Sequence, residues 1–321
     1  MIADQLPTIE LSQATVVIPT YQAGGYIVPM IEALAKQGVA ASQILIIDSS
    51  STDATVESFR QFGARVVVIP QCEFNHGGTR RYAAELAKGS EFLIYLTQDA
   101  IPASESAFRD ILKTFSNSAV GMAYGRQLPR PTAAAIERHA REFNYPQAGV
   151  ELRSLRDRDR LGVKSTFCSD SFAAYRRTAL ESVGGFPEDA FFAEDQIIAG
   201  RMLMAGWKLA YVGEAVVTHS HDYSIADDFR RCFDVGVYHA RNTWLLDTFG
   251  RAEGEGARFV FSELRYLLRS EPWTIPSALI RTFAKYAGYR IGRLEHRWPL
   301  RWKARLSMAP SYWKTRIPRR H

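Results

Sequence analysis

The chain has 321 residues, 46% hydrophobic and 23% charged, which excludes intrinsic disorder and a small disulfide-stapled scaffold and suits two domains or one large α/β domain. Its three cysteines (Cys72, Cys168, Cys232) are widely spaced with no Cys-x-x-Cys pair, so neither a disulfide framework nor a cysteine-built zinc site is expected, and the compartment is expected to be reducing. The net charge of +6 conceals an asymmetry: residues 257–321 hold 15 Lys and Arg against 3 Asp and Glu, a surplus of 12, which leaves the first 256 residues at −6.

The opening MIADQLPTIE carries acids and no basic stretch ahead of an apolar one, and no uncharged apolar run reaches about 18 residues. Neither a cleaved signal nor a membrane span is expected. Residues 15–19, 44–48, 65–69 and 92–96 are short runs of β-branched and aromatic residues, the pattern of parallel strands buried on both faces. Helix-period stretches at 26–37, 53–62 and 79–88 lie between them. This alternation predicts a doubly wound, mostly parallel sheet flanked by helices, with a ligand crevice at the carboxyl ends of its strands. The polar residues fall there. Pro19, Thr20 and Tyr21 leave the first strand, Asp48 to Asp53 the second, and Thr97-Gln98-Asp99 the fourth.

A nucleotide at such a rim needs a carboxylate for base or ribose, a flat side chain over the base, and a cation or metal for the diphosphate. Asp48, Tyr21 and Asp99 are the candidates; a helix-capping role is the alternative for Asp53, and more weakly for Asp48. Arg80 and Arg81 follow His76-Gly77-Gly78, where glycines permit close backbone approach to phosphate, so one of the arginines could pair with the diphosphate.

The segment from about 126 to 256 opens with a charged, proline-punctuated stretch and continues with a strand-like 167–175. A helix from about Asp195 to Ala205 and a strand at 209–219 ending in His219-Ser220-His221 follow. A His-x-His on a strand aims both rings at one face. Glu194 and Asp195 open their helix, where acids complement the helix dipole. Trp207 closes that helix, either as core or as a platform for a sugar. Beyond Arg258 the pattern is helical with breaks at Pro272, Pro276, Pro299 and Pro310; Leu279, Ile280, Phe283, Tyr286 and Ala287 form an apolar stripe flanked by Arg281, Lys285 and Arg290. Four of the six tryptophans (Trp273, Trp298, Trp302, Trp313) lie here. A basic, Trp-bearing segment suits an anionic surface, either lipid or nucleic acid.

Val17-Ile18-Pro19-Thr20-Tyr21, then Ile47-Asp48-Ser49-Ser50-Ser51-Thr52-Asp53, then an acid after the fourth strand, resembles the inverting family 2 glycosyltransferases of GT-A fold over about residues 14–240. Phe74 to Arg80, Leu96 to Ala100 and His219 to Tyr223 are similar to bacterial rhamnosyltransferases that use dTDP-rhamnose. The resemblance implies donor contacts at Pro19, Thr20, Tyr21, Asp48, His76, Arg80, Gln98 and Asp99, and acceptor contacts at Asp170 and Trp207. It implies a general base at Asp195, with Glu194 as the fallback. It implies Mg²⁺ or Mn²⁺ on Asp99, His219 and His221, since Gln98 replaces the first acid of the family's Asp-x-Asp.

The expected organisation is a nucleotide-sugar half (1–125), an acceptor and catalytic half (126–256), and a basic amphipathic helical extension (257–321) that docks on an anionic membrane. The expected enzyme moves L-rhamnose from dTDP-rhamnose to a lipid-linked saccharide at the inner face of the cell membrane, as a cytoplasmic, peripheral protein. Another nucleotide sugar such as a UDP-hexose is the alternative within this fold. Nucleic-acid binding through the tail is the alternative from another class, and no nucleic-acid motif accompanies the basic residues. As a docking module, the tail from Pro272 onward is expected to be dispensable for donor chemistry.

Overall fold

The computed structural model describes residues 9–251 and 254–316. The first part alternates β1 (Ala14–Thr20), α1 (Ile27–Ala35), β2 (Ile44–Asp48), α2 (Thr55–Gln61), β3 (Arg65–Val68), α3 (His76–Leu86) and β4 (Phe92–Leu96). There follow β5 (Ile101–Pro102), α4 (Ala107–Lys113), β6 (Val120–Leu128), α5 (Ala135–Asn144), β7 (Val150–Arg153), α6 (Arg158–Leu161), β8 (Phe172–Arg176), α7 (Arg177–Ser182), α8 (Glu194–Met204) and β9 (Lys208–Thr218). Six helices of the described residues complete the chain: α9 (Ile225–Arg241), α10 (Thr243–Phe249), α11 (Glu255–Ser270), α12 (Ile275–Gly292), α13 (Leu300–Leu306) and α14 (Pro310–Lys314).

All nine strands join one sheet in the order β3-β2-β1-β4-β8-β6-β9-β5, with β7 on β9. β1 to β4 are mutually parallel, β8 runs antiparallel between β4 and β6, and β9 is parallel to β6. Position 125/126 therefore lies inside a central strand, and residues before and after it share one sheet. The apolar strand runs are explained by burial on both faces. Val16, Ile18, Ile46 and Ile94 pack toward α1 and α4, while Val17, Leu45, Ile47 and Tyr95 pack toward α3 and α8.

Chain reversal at β8 brings the carboxyl ends of β1, β2, β4, β6 and β9 and the amino end of β8 to one rim. The strand-like run 167–175 is strand only from Phe172, and its first half turns along that rim. Three non-glycine residues hold left-handed backbone, Gln22 (φ 49°), Ser50 (φ 61°) and Ala193 (φ 55°), each in a segment meeting the rim.

In the tail, Pro276 sits in the first turn of α12 and does not break it, because a proline there gives up an amide that has no intrahelical partner. α12 lies very close to α9. A Cβ on Gly288 would stand 2.3 Å from the carbonyl oxygen of Phe229, and one on Gly292 2.1 Å from that of Phe233. Arg281 and Lys285 of α12 turn inward to Asp228 of α9, at 2.6 and 3.6 Å. Of the three cations expected to flank the stripe, Arg290 alone stays beside it, against the Tyr286 ring. Leu279, Ile280, Phe283 and Tyr286 are each at least half exposed, and Trp273 is 74% exposed. No helix among the described residues is long and apolar enough to cross a membrane.

Candidate active site

At the end of β2, Asp48 is fully buried. One carboxylate oxygen accepts from the Ser51 amide (2.7 Å), the other from the hydroxyls of Thr20 (2.8 Å) and Ser51 (2.6 Å). These three bonds join the ends of β1 and β2 and leave Asp48 one acceptor site, on Oδ1, for the nucleotide contact expected of it. The neighbouring Ser49 lines the cleft with a hydroxyl that has no partner. Gln98 is occupied, accepting from the Tyr21 amide (2.8 Å) and donating to the Tyr21 carbonyl (3.1 Å). It fixes Tyr21, whose ring is 42% exposed at the cleft wall.

The cleft, of about 790 Å³, is lined by Pro19, Thr20, Tyr21, His76, Arg80 and Gln98, which sequence reasoning placed there. Its opposite wall was not foreseen. Tyr312 and Lys314 of helix α14 and Arg316 in the turn after it close the cleft.

Past β4 and β9, Asp99, His219 and His221 converge. Asp99 Oδ2 stands 3.4 Å from His219 Nε2 and 3.6 Å from His221 Nε2. Adjacent oxygen or nitrogen ligands of an octahedral ion lie about 3 Å apart, so one divalent cation fits between them. His219 Nδ1 is 2.8 Å from Gln127 Oε1, so that nitrogen donates and Nε2 keeps its lone pair toward Asp99. Burial pushes His221 down to about 4, which keeps its imidazole neutral and able to ligate.

The second cluster is built on α3, β8 and α8. Arg80 reaches Asp170 (2.9 Å) and Glu194 (2.7 Å), and all three side chains are at most 6% exposed. Arg80, expected to meet diphosphate, is thus neutralised from behind by two carboxylates. Arg81 caps the turn at Gly184 and Phe186 instead. The glycines before them do not form a phosphate loop either: Asn75 caps α3, putting Gly77 and Gly78 in its first turn, and a Cβ on Gly77 would stand 1.9 Å from the Pro187 carbonyl oxygen. Their role is close packing of the 187–190 loop.

Asp170, also bonded by the Tyr175 hydroxyl, is 2% exposed, so the expected contact with an acceptor gives way to a bracing role. Its amide donates to Asp195 Oδ2 at 3.2 Å. Asp195 forms no ion pair among the described residues, and burial together with the charge of Glu194 pushes its carboxyl up to about 6. The two clusters are joined through Gln127, which contacts His219 with its oxygen and donates to Ser169 (2.9 Å), next to Asp170. Sequence reasoning missed Gln127, although a lone glutamine at the end of an apolar strand carries the same signal as Asp99.

Trp207 is not part of this site. α8 begins at the rim and runs back along the sheet, so Trp207 lies at the amino end of β9, beside Val120, at the far edge. Its ring packs over Gly121 and its indole nitrogen donates to Ser182. The expected acceptor platform is a partly buried residue packed against the core on the opposite edge of the sheet.

The family model described as "Glycosyl transferase family 2" matches residues 15–184. The O-antigen chain rhamnosyltransferase WbaN of Salmonella anatum is 46% identical over 302 residues, covering 93% of this chain and 95% of that protein. RfbN of Salmonella typhimurium, also named an O-antigen chain rhamnosyltransferase, is 42% identical over 300 residues with the same coverage. Among solved structures, the mannosyltransferase PcManGT of Pyrobaculum calidifontis, in complex with GDP-Man and Mn²⁺, superposes with a TM-score of 0.54 at 18% identity. It covers 94% of this chain and 85% of that one. TarS 1-349 of Staphylococcus aureus gives 0.50 at 16% identity, covering 89% and 91%. These likenesses bear on the fold, and with the motif order, the sheet topology and the two full-length relatives they make this chain a glycosyltransferase of family 2 with the GT-A architecture.

Proposed function

We propose that this enzyme transfers L-rhamnose from dTDP-rhamnose, with inversion, to a lipid-linked saccharide during assembly of a surface polysaccharide. The observation that carries the sugar is the name shared by two relatives that match 93% of the chain. Thymine and ribose lie along Tyr21, Pro19, Thr20 and Ser49, His76 borders the diphosphate, and Asp99, His219 and His221 hold Mg²⁺ or Mn²⁺. That ion supplies a Lewis acid for the charge that develops on the leaving diphosphate.

Asp195 is the base. It takes the proton of the acceptor hydroxyl while that oxygen bonds to the anomeric carbon and the bond from that carbon to the diphosphate oxygen breaks on the opposite face. A carboxyl raised to about 6 is ionised at neutral pH yet basic enough to share a proton in the transition state. Glu194, the fallback base, is tied to Arg80, which also holds Asp170, whose backbone amide positions the Asp195 carboxylate. Donor residues come mainly from the first 125 residues and the base from 126–256.

The exposed stripe of α12 with Trp273 is the membrane-docking surface of the 257–321 segment, at the inner face of the cell membrane. Arg265, Arg269, Arg290, Arg297, Arg301 and Arg305 have no carboxylate partner among the described residues and serve anionic head groups. The test is a panel of nucleotide sugars with Mg²⁺, read by release of nucleoside diphosphate. The expected donor is dTDP-rhamnose; turnover of a UDP-hexose with none of dTDP-rhamnose overturns the assignment. The new glycosidic bond, measured by NMR coupling, should be of inverted configuration.

A further inference from the structure

We propose that α14 belongs to the donor site and that Lys314 is the side chain that meets the donor's diphosphate. This deepens the donor reading above and rests on it.

The position of α14 is set by a small core of its own. Trp313 is 1% exposed, with its ring 5.6 Å from that of Phe191 and the Arg241 guanidinium 4.9 Å from its centre. Tyr312 stacks on Phe191 at 4.5 Å and accepts a hydrogen bond from Arg241 at 2.9 Å. Phe191 lies four residues before Asp195, so the helix walling the cleft also buttresses the segment leading into α8, whose first turn carries the base. These contacts hold Lys314, one residue beyond the buried indole, at the mouth of the nucleotide cleft.

Among the cations that line this cleft, charge singles out Lys314; Arg231, whose charge reaches His76 and His221, lies outside that lining. A nucleoside diphosphate sugar carries two negative charges; a divalent ion with one carboxylate and two neutral imidazoles offsets one of them. One further cation is wanted, and the need grows as the diphosphate departs with a third charge. Among the cations lining the cleft, Arg80 is paired with Asp170 and Glu194, and Arg316 with Asp189. Lys314 has no carboxylate partner among the described residues.

The test is calorimetric binding of dTDP, UDP, thymidine and uridine to the full chain with Mn²⁺, comparing wild type with Lys314→Met and Lys314→Arg. Loss of one charge-assisted contact should weaken diphosphate binding by roughly tenfold. Thymidine and uridine should bind both forms equally, and Lys314→Arg should restore most of the loss. Lys314 is exposed, so a thermal melt of the variants should match wild type. Equal dTDP affinity in wild type and Lys314→Met overturns the assignment, as does an equal loss for the uncharged nucleosides. A wild type that binds UDP but not dTDP defeats the thymidine reading alone, and the tenfold loss is then read on UDP; a wild type that binds neither defeats both.

Discussion

Asp195 is set apart from Glu194 by what each carboxylate is already bonded to. Glu194 sits 2.7 Å from a buried guanidinium, whereas Asp195 is held by two backbone amides, which orient it without neutralising it. Asp195→Asn should keep dTDP affinity within a few fold and lower transfer by about 10²- to 10⁴-fold. Because the group acts ionised and its carboxyl stands at about 6, kcat/KM should rise with pH through that value and fall below it. A flat profile between pH 5 and 7 would remove Asp195 as the base. Glu194→Gln should act differently: it removes one of the two buried ion pairs of Arg80 and leaves Asp170 as the counter-charge, at a cost of about 1–3 kcal/mol in a denaturation experiment. Trp207→Ala should lower stability by about 3–5 kcal/mol at most and leave the acceptor KM unchanged, since its indole packs at the far edge of the sheet.

Helix α12 is amphipathic in the opposite sense from a helix docked on a soluble core. Its charged residues Arg281 and Lys285 face α9, where Asp228 neutralises them, while Leu279, Ile280, Phe283 and Tyr286 face outward. Close approach permits this arrangement, because glycines at 288 and 292 bring the two backbones into contact. Gly292→Val should destabilise the chain by at least about 1–3 kcal/mol, because the added carbons meet backbone rather than a movable side chain. The outward stripe should be tolerant of charge: Ile280→Glu combined with Phe283→Glu should retain the melting temperature and donor turnover. Co-sedimentation with anionic vesicles should drop at least severalfold; unchanged sedimentation would assign the stripe to something other than lipid.

At the scale of the whole molecule the tail is two things. α11 and α12 present the outward apolar and basic surface, while α13 and α14 return to the catalytic core, where Trp313 shares a cluster with Phe191, Phe233 and Val237. Deleting residues from Pro272 onward therefore removes a wall of the donor cleft and uncovers α9. Such a truncation should lose dTDP binding along with vesicle binding, contrary to the expectation that the tail is dispensable for donor chemistry. A truncated chain that still binds dTDP as tightly as the full one would return α14 to the surface.

The succession of parallel strands and helices in the first hundred residues was legible because β-branched runs buried on both faces have few other places to go, and the rim residues Tyr21 and Asp99 followed from where such strands end. The convergence of Asp99 with His219 and His221 was legible through motif resemblance. What only the tertiary structure decided are pairings across long chain separations. Arg80 meets carboxylates at 170 and 194, Gln98 clamps the backbone of Tyr21, and Lys314 lines a cleft made mainly by residues of the first hundred positions. Periodicity reports which face of a helix is apolar. It does not report whether that face is turned toward a core or away from it, and for α12 the close glycine contacts and the buried Asp228 settle that orientation.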